Sequence, residues 1–126
     1  MIGKLVLVAL GGACGASLRY LCTTAALRIA GDTAWGTLFV NVVGSLVMGM
    51  AAILLVERFT EVGPRLMPLI TVGLLGGFTT FSAFSLDAVR LFEDGRIGVA
   101  AGYVLGSVVL SVLALFAGLL LGRALI

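Results

Sequence analysis

The chain has 126 residues, of which 61% are hydrophobic and 11% charged. A soluble domain is about 45–50% apolar and about 25% charged, so this composition belongs in a lipid bilayer. The formal net charge of +2 with no basic cluster excludes a nucleic-acid partner, and the absence of histidine excludes the commonest general base and metal ligand.

A spanning helix needs roughly 20 mostly apolar residues. Four stretches qualify, about 4–27, 36–56, 67–90 and 98–122. They predict an all-α integral membrane protein made of one four-span domain, 1–126, whose short connections hold most of the charge. No stretch reads as a cleavable leader.

The first span contains "GGACGASLRY". Gly11 and Gly15 stand four residues apart, a spacing that lets helix backbones approach closely where lipid offers no hydrophobic drive. Arg19 lies inside the span with Gly12, Gly15 and Ala16 on its face. A charge there is expensive and faces water or a partner; it either snorkels to the surface or attracts anions at a vestibule. Cys14 and Cys22 match no zinc, haem or redox spacing and read as packing residues.

The second span aligns Thr37, Asn41 and Ser45 at four-residue spacing, a polar line on an apolar helix. Asn41 reads equally as an interhelical hydrogen bond or as a donor to an anion.

The third span carries "GGFTTFSAFS", Gly76 to Ser85. In water each glycine weakens a helix by about 1 kcal/mol relative to alanine. With Thr79 and Thr80 following, the pair predicts a break near Gly76–Thr80; the alternative is a glycine-rich packing face on an intact helix. Unwound backbone survives in a membrane only where it is buried in protein or lines a polar cavity. Such a break exposes carbonyls on one side and helix-terminus amides on the other, a common ion-site arrangement. Phe78, Phe81 and Phe84 share one helix face, with Thr79, Ser82 and Ser85 as a hydroxyl stripe beside them. Ring edges are electropositive and can solvate an anion weakly, although packing is the commoner role. Asp87 and Arg90, three residues apart, predict an ion pair with each other.

The fourth span repeats the polar line with Tyr103, Ser107 and Ser111, and adds glycines at 98, 102, 106, 118 and 122. Lys4, Arg58, Arg65 and Arg123 fall on the side of the N-terminus, and Arg28, Arg90 and Arg96 on the other. So small a bias permits insertion both ways up, and hence an antiparallel homodimer.

The run Gly76–Ser85 resembles the signature of the Fluc (CrcB-like) fluoride channels. "GGACGASLRY" around Arg19, "GTLFVNVVGS" around Asn41 and the serine-bearing fourth span agree with it, so the resemblance covers essentially the whole chain. It implies a dual-topology antiparallel homodimer in the cell's inner (plasma) membrane, with two fluoride pores and a central structural sodium ion. Backbone carbonyls of Gly76 and Thr79 from both subunits would hold the sodium. Phe81 and Phe84 match the pore phenylalanines and Asn41 the pore asparagine. Ser82 belongs to the same run, Tyr103, Ser107 and Ser111 match a polar track, and Arg19 matches a vestibule arginine. The family run often reads Phe-Ser-Thr-Phe; Ala83 here removes one hydroxyl. The implied role is passive fluoride exit, protecting cells whose acidic surroundings drive the protonated form inward.

Two other classes compete. A small four-span multidrug or cation exporter needs a membrane-embedded carboxylate, typically in the first span, and this first span has none. A non-transporting membrane subunit would use its glycines only for assembly. An enzyme has no nucleophile elbow or phosphate loop to work with.

Overall fold

The computed structural model describes Met1–Ile126, and every regular element in it is helical. Four helical runs are long and apolar enough to cross a membrane: Ile2–Ala30, Thr33–Arg58, Gly63–Glu93 and Ile97–Ala124. Each outruns its apolar stretch by several residues. Bilayer thickness sets the apolar length, whereas caps decide where a helix stops.

The first helix, α1 (Ile2–Ala30), ends at Gly31, whose φ of 77° only glycine adopts without strain and whose N–H returns to the Leu27 carbonyl. Asp32 then opens α2 (Thr33–Ile53), its carboxylate accepting the Ala34 N–H at 2.9 Å. A π-helical turn, Leu54–Arg58, prolongs α2. The third run begins with α3 (Gly63–Met67) and continues as a π-helical segment over Pro68–Leu75. Pro68 has no N–H to donate, so the regular ladder cannot pass through it unchanged. A single turn, α4 (Gly76–Phe78), follows.

Thr79 (φ −86°, ψ 157°) and Thr80 (φ −154°, ψ 126°) are both extended. Thr80 is also the cap of the next helix, α5 (Phe81–Glu93), its hydroxyl accepting the Ala83 N–H at 3.1 Å. After a tight turn at Gly95 the chain finishes in α6 (Ile97–Ala124).

Close backbone packing assembles these helices. A Cβ at Gly49 on α2 would strike the Leu115 carbonyl of α6, and one at Gly118 would strike the Leu46 carbonyl of α2. Gly11 and Gly15 seat α1 against the third run in the same way, meeting the carbonyls of Leu69 and Leu74. Gly98, Gly102 and Gly106 differ: a Cβ at any of them meets nothing within 4 Å. Their face of α6 is bare within one subunit.

Only 22 of 126 residues are buried, so most apolar side chains face outward, toward lipid or another subunit. One small core joins Ala34, Phe84, Leu91, Ala100 and Tyr103; a second joins Ala51, Leu55 and Leu75. Overpacking a filled interface costs about 1–3 kcal/mol. Gly118→Ala is therefore expected to lower the thermal unfolding midpoint of the detergent-solubilised protein, and Gly102→Ala to leave the single subunit's own packing unchanged.

Candidate functional site: a polar recess beside two extended residues

The extended residues remove Thr80 from the helical ladder, and α2 replaces what is lost. The Thr80 N–H donates to Asn41 Oδ1 at 2.8 Å, and Asn41 Nδ2 donates to the Thr80 carbonyl at 2.9 Å. One side-chain amide thus satisfies both polar groups of one residue, as a neighbouring strand would. The interhelical reading of Asn41 is therefore realised, and the second N–H of its amide remains unused beside the recess it lines.

The neighbouring carbonyls divide. In an α-helix each accepts the N–H four residues on. Gly76 would take that of Thr80, which goes to Asn41; Thr79 would take that of Ala83, which goes to the Thr80 hydroxyl. Leu75 keeps both the Thr79 N–H (3.0 Å) and the Thr79 hydroxyl (2.9 Å). Gly77 accepts Arg19 Nε from α1 at 3.0 Å. Arg19 is thus bound to backbone rather than simply extended to the surface.

Beside these residues lies an open recess of about 510 Å³ between α2, α6 and the start of α5. Its polar lining is Asn41, Ser45, Thr79, Thr80, Ser107 and Ser111, with Gly44 and Gly76 as bare backbone and Phe81 and Phe84 as aromatic wall. No charged side chain lines it. The two rings sit 5.5 Å apart, tilted by 40°. Phe84 is buried, whereas Phe81 is 78% exposed and meets its surroundings mostly outside this subunit. The Ser107 hydroxyl is buried with no partner, an uncommon condition that a ligand or water relieves. Gly44 was not singled out from the sequence; a Cβ there would collide with the Thr79 methyl and approach the Phe78 ring at 3.2 Å. Its signal was its spacing, three residues after Asn41 and so on the same helix face.

Besides Arg19, two candidate residues lie outside the lining. Ser82 is exposed, 3.4 Å from the Thr80 hydroxyl. Tyr103 is buried and stacks on Phe84 with centroids 5.4 Å apart. Its hydroxyl donates to Asp87 Oδ2 at 3.2 Å, where Thr37 also donates at 2.7 Å, while Thr33 donates to Oδ1 at 3.3 Å. The expected Asp87–Arg90 pair is therefore absent. Asp87 turns inward between α2 and α6, and Arg90, one turn on, is exposed. Three hydroxyls offset the desolvation of a carboxyl that has no cation beside it. Thr33 was the missed partner, four residues before Thr37 and so on the same face.

Fold and site together define a small multi-pass membrane protein with an open, uncharged polar recess among its helices. The family model described as "CrcB-like protein, Camphor Resistance (CrcB)" matches residues 6–119. A relative from Agrobacterium fabrum, named fluoride-specific ion channel FluC, is 51% identical over 121 residues, covering 95% of this chain and 96% of its own. Relatives of the same name from Paracoccus denitrificans (52% over 118 residues, 94% and 93%) and a Chelativorans species (51% over 123 residues, 97% and 98%) agree. The chain belongs to the CrcB-like family, whose members named here are ion channels and not enzymes.

Each buried polar group left unpaired costs about 1–3 kcal/mol, so Asn41→Leu, which orphans both Thr80 groups, should lower stability by about 2–6 kcal/mol. Ser45→Ala, at the same wall but without a hydrogen bond to lose, should stay within about 0.5 kcal/mol. Unfolding in mixed micelles, followed by helicity, measures both.

Proposed function

We propose that this protein is a fluoride-selective channel through which fluoride leaves the cell passively across the plasma membrane. In this reading it works as a dual-topology antiparallel homodimer with two pores and a central structural sodium ion. The relatives' name, fluoride-specific ion channel, supports the substrate, because the similarity runs over nearly the whole chain. Within the chain, one observation carries it: the buried, unpartnered Ser107 hydroxyl opens on a recess of neutral donors and ring edges.

The chemistry suits a small, tightly hydrated anion. A dry pore must replace the ion's water with donors, and Asn41, Ser107 and Ser111 supply them. Conduction also needs sites weak enough to leave, and the lining holds no fixed cation that would trap the ion. The edges of Phe81 and Phe84 attract an anion weakly. Tyr103 acts on the path through the ring it stacks on, Ser82 extends the hydroxyls beyond Phe81, and Arg19 draws anions toward the vestibule. Asp87 is not among the lining residues, which counts against the proton-coupled exporter.

The two extended threonines are the functional break of the third span. The carbonyls of Gly76 and Thr79, the two whose helical donors bond elsewhere, suit a hard cation that prefers oxygen ligands. When bound, sodium would supply fixed positive charge there. These two oxygens are too few for a full coordination shell, and the recess is open on one side, so the arrangement asks for a second copy. The nearly balanced loop charge allows that copy to be inverted.

Liposomes loaded with fluoride and containing the purified protein test the channel. Addition of a potassium ionophore should release fluoride, read by electrode, with no parallel chloride release. Ser107→Ala, which removes one donor, should slow release by about tenfold. No release from folded dimer sinks the channel reading. Sodium has its own test. A ligand at a hundredfold its dissociation constant adds about 2.7 kcal/mol, so replacing sodium by a bulky organic cation should lower the thermal midpoint.

A further inference from the structure

Arg19 ends a line of α1 positions four residues apart, Gly11, Gly15 and Arg19. The glycines press α1 onto the third run. A Cβ at Gly15 would strike the Leu74 carbonyl, and one at Gly77 would come within 2.9 Å of the Gly12 carbonyl. One turn further along α1, Arg19 Nε reaches the Gly77 carbonyl at 3.0 Å. In an uninterrupted helix that carbonyl would take the Phe81 N–H, which lies beyond the extended residues.

The carbonyls around the interruption therefore form two sets. Those of Gly77 and Thr80 are held by side chains from two different helices, Arg19 on α1 and Asn41 on α2. Those of Gly76 and Thr79 are not, because their expected donors bond elsewhere. Each free oxygen has a held one beside it, Gly76 next to Gly77 and Thr79 next to Thr80. Gly76 and Gly77 have no side chains to restrain their peptide planes, so the restraint must come from outside.

We infer that Arg19 is a positioning residue for the interruption: by holding the Gly77 carbonyl from α1, it fixes which backbone oxygens stay free. This deepens the reading in which Gly76 and Thr79 hold a cation, and rests on it for its functional meaning. The role is directional and differs from that of a charge attracting anions. It needs a donor where Nε stands. A glutamine amide nitrogen lies the same number of bonds from the backbone and is neutral; methionine offers neither donor nor charge.

Amide hydrogen exchange of the full chain in sodium-free detergent separates the two roles. Loss of a hydrogen bond to a charged group is worth a factor of about ten or more, so Arg19→Met should raise exchange across residues 79–82 by at least that much. Arg19→Gln should stay within about threefold of the parent, since it keeps the donor. The sodium concentration that protects this segment should rise in Arg19→Met and not in Arg19→Gln. Unchanged exchange in Arg19→Met, or equal effects of Met and Gln, overturns the inference. If Arg19→Met does not fold, Arg19→Lys replaces it: faster exchange supports the directional role, and parent-like exchange overturns it. Fluoride release by the parent protein judges the channel reading separately, because the comparison in sodium-free detergent needs neither ion.

Discussion

A peptide group inside a membrane must find a hydrogen-bond partner within the protein, and at Thr80 that partner is Asn41. Lipid offers no donor or acceptor, so two extended residues in an apolar span persist only if something else completes their bonding. The side-chain amide of Asn41 does so in both directions. The remaining polar groups then arrange around this pair. Taking the Thr80 N–H leaves the Gly76 carbonyl without its helical donor, and the Thr80 hydroxyl, as cap of α5, does the same for Thr79. The start of α5 in turn sets Phe81 and Phe84 against the recess.

Glycine contact makes these bonds reachable. Asn41 meets Thr80 because α2 comes close enough at Gly44, where a side chain would collide with Thr79 and Phe78. Arg19 meets Gly77 because Gly15 lets α1 lie on the backbone of Leu74 and Phe78. Where lipid gives no hydrophobic drive, close approach and interhelical hydrogen bonds do the joining, and here they coincide along the same lines of residues. The bare ridge of Gly98, Gly102 and Gly106 shares the spacing without an internal partner. Spacing alone does not distinguish a packed glycine from an unpacked one.

The same limit explains Asp87. Its separation from Arg90 allowed an i,i+3 pair, and that rule sees only one helix. The carboxyl instead faces α2 and α6, where Thr33, Thr37 and Tyr103 supply hydroxyls. Tyr103 looked like one step of a polar line with Ser107 and Ser111. Its ring is buried against Phe84 and its hydroxyl belongs to Asp87, while the two serines line the recess. Three residues at regular spacing on one helix therefore meet two different surroundings.

By itself the sequence determined the medium and the number of spans, and marked Gly76–Thr80 as the weakest helical stretch. These depend on local properties, apolar run length against bilayer thickness and the low helical preference of paired glycines. The stop at Gly31 and the start at Asp32 emerged with the structure. The sequence also marked Asn41, Phe81, Phe84, Ser107 and Ser111 as a set, because polar or aromatic residues stood out at regular spacing on apolar helices. Only the tertiary structure decided how they are used. Whether Asn41 faces an ion or a peptide, whether Arg19 reaches water or the Gly77 carbonyl, and whether Asp87 meets a cation or three hydroxyls depend on which helix lies opposite. A hydrogen bond needs its partner within about 3 Å, and a pattern along one chain carries no distance to another.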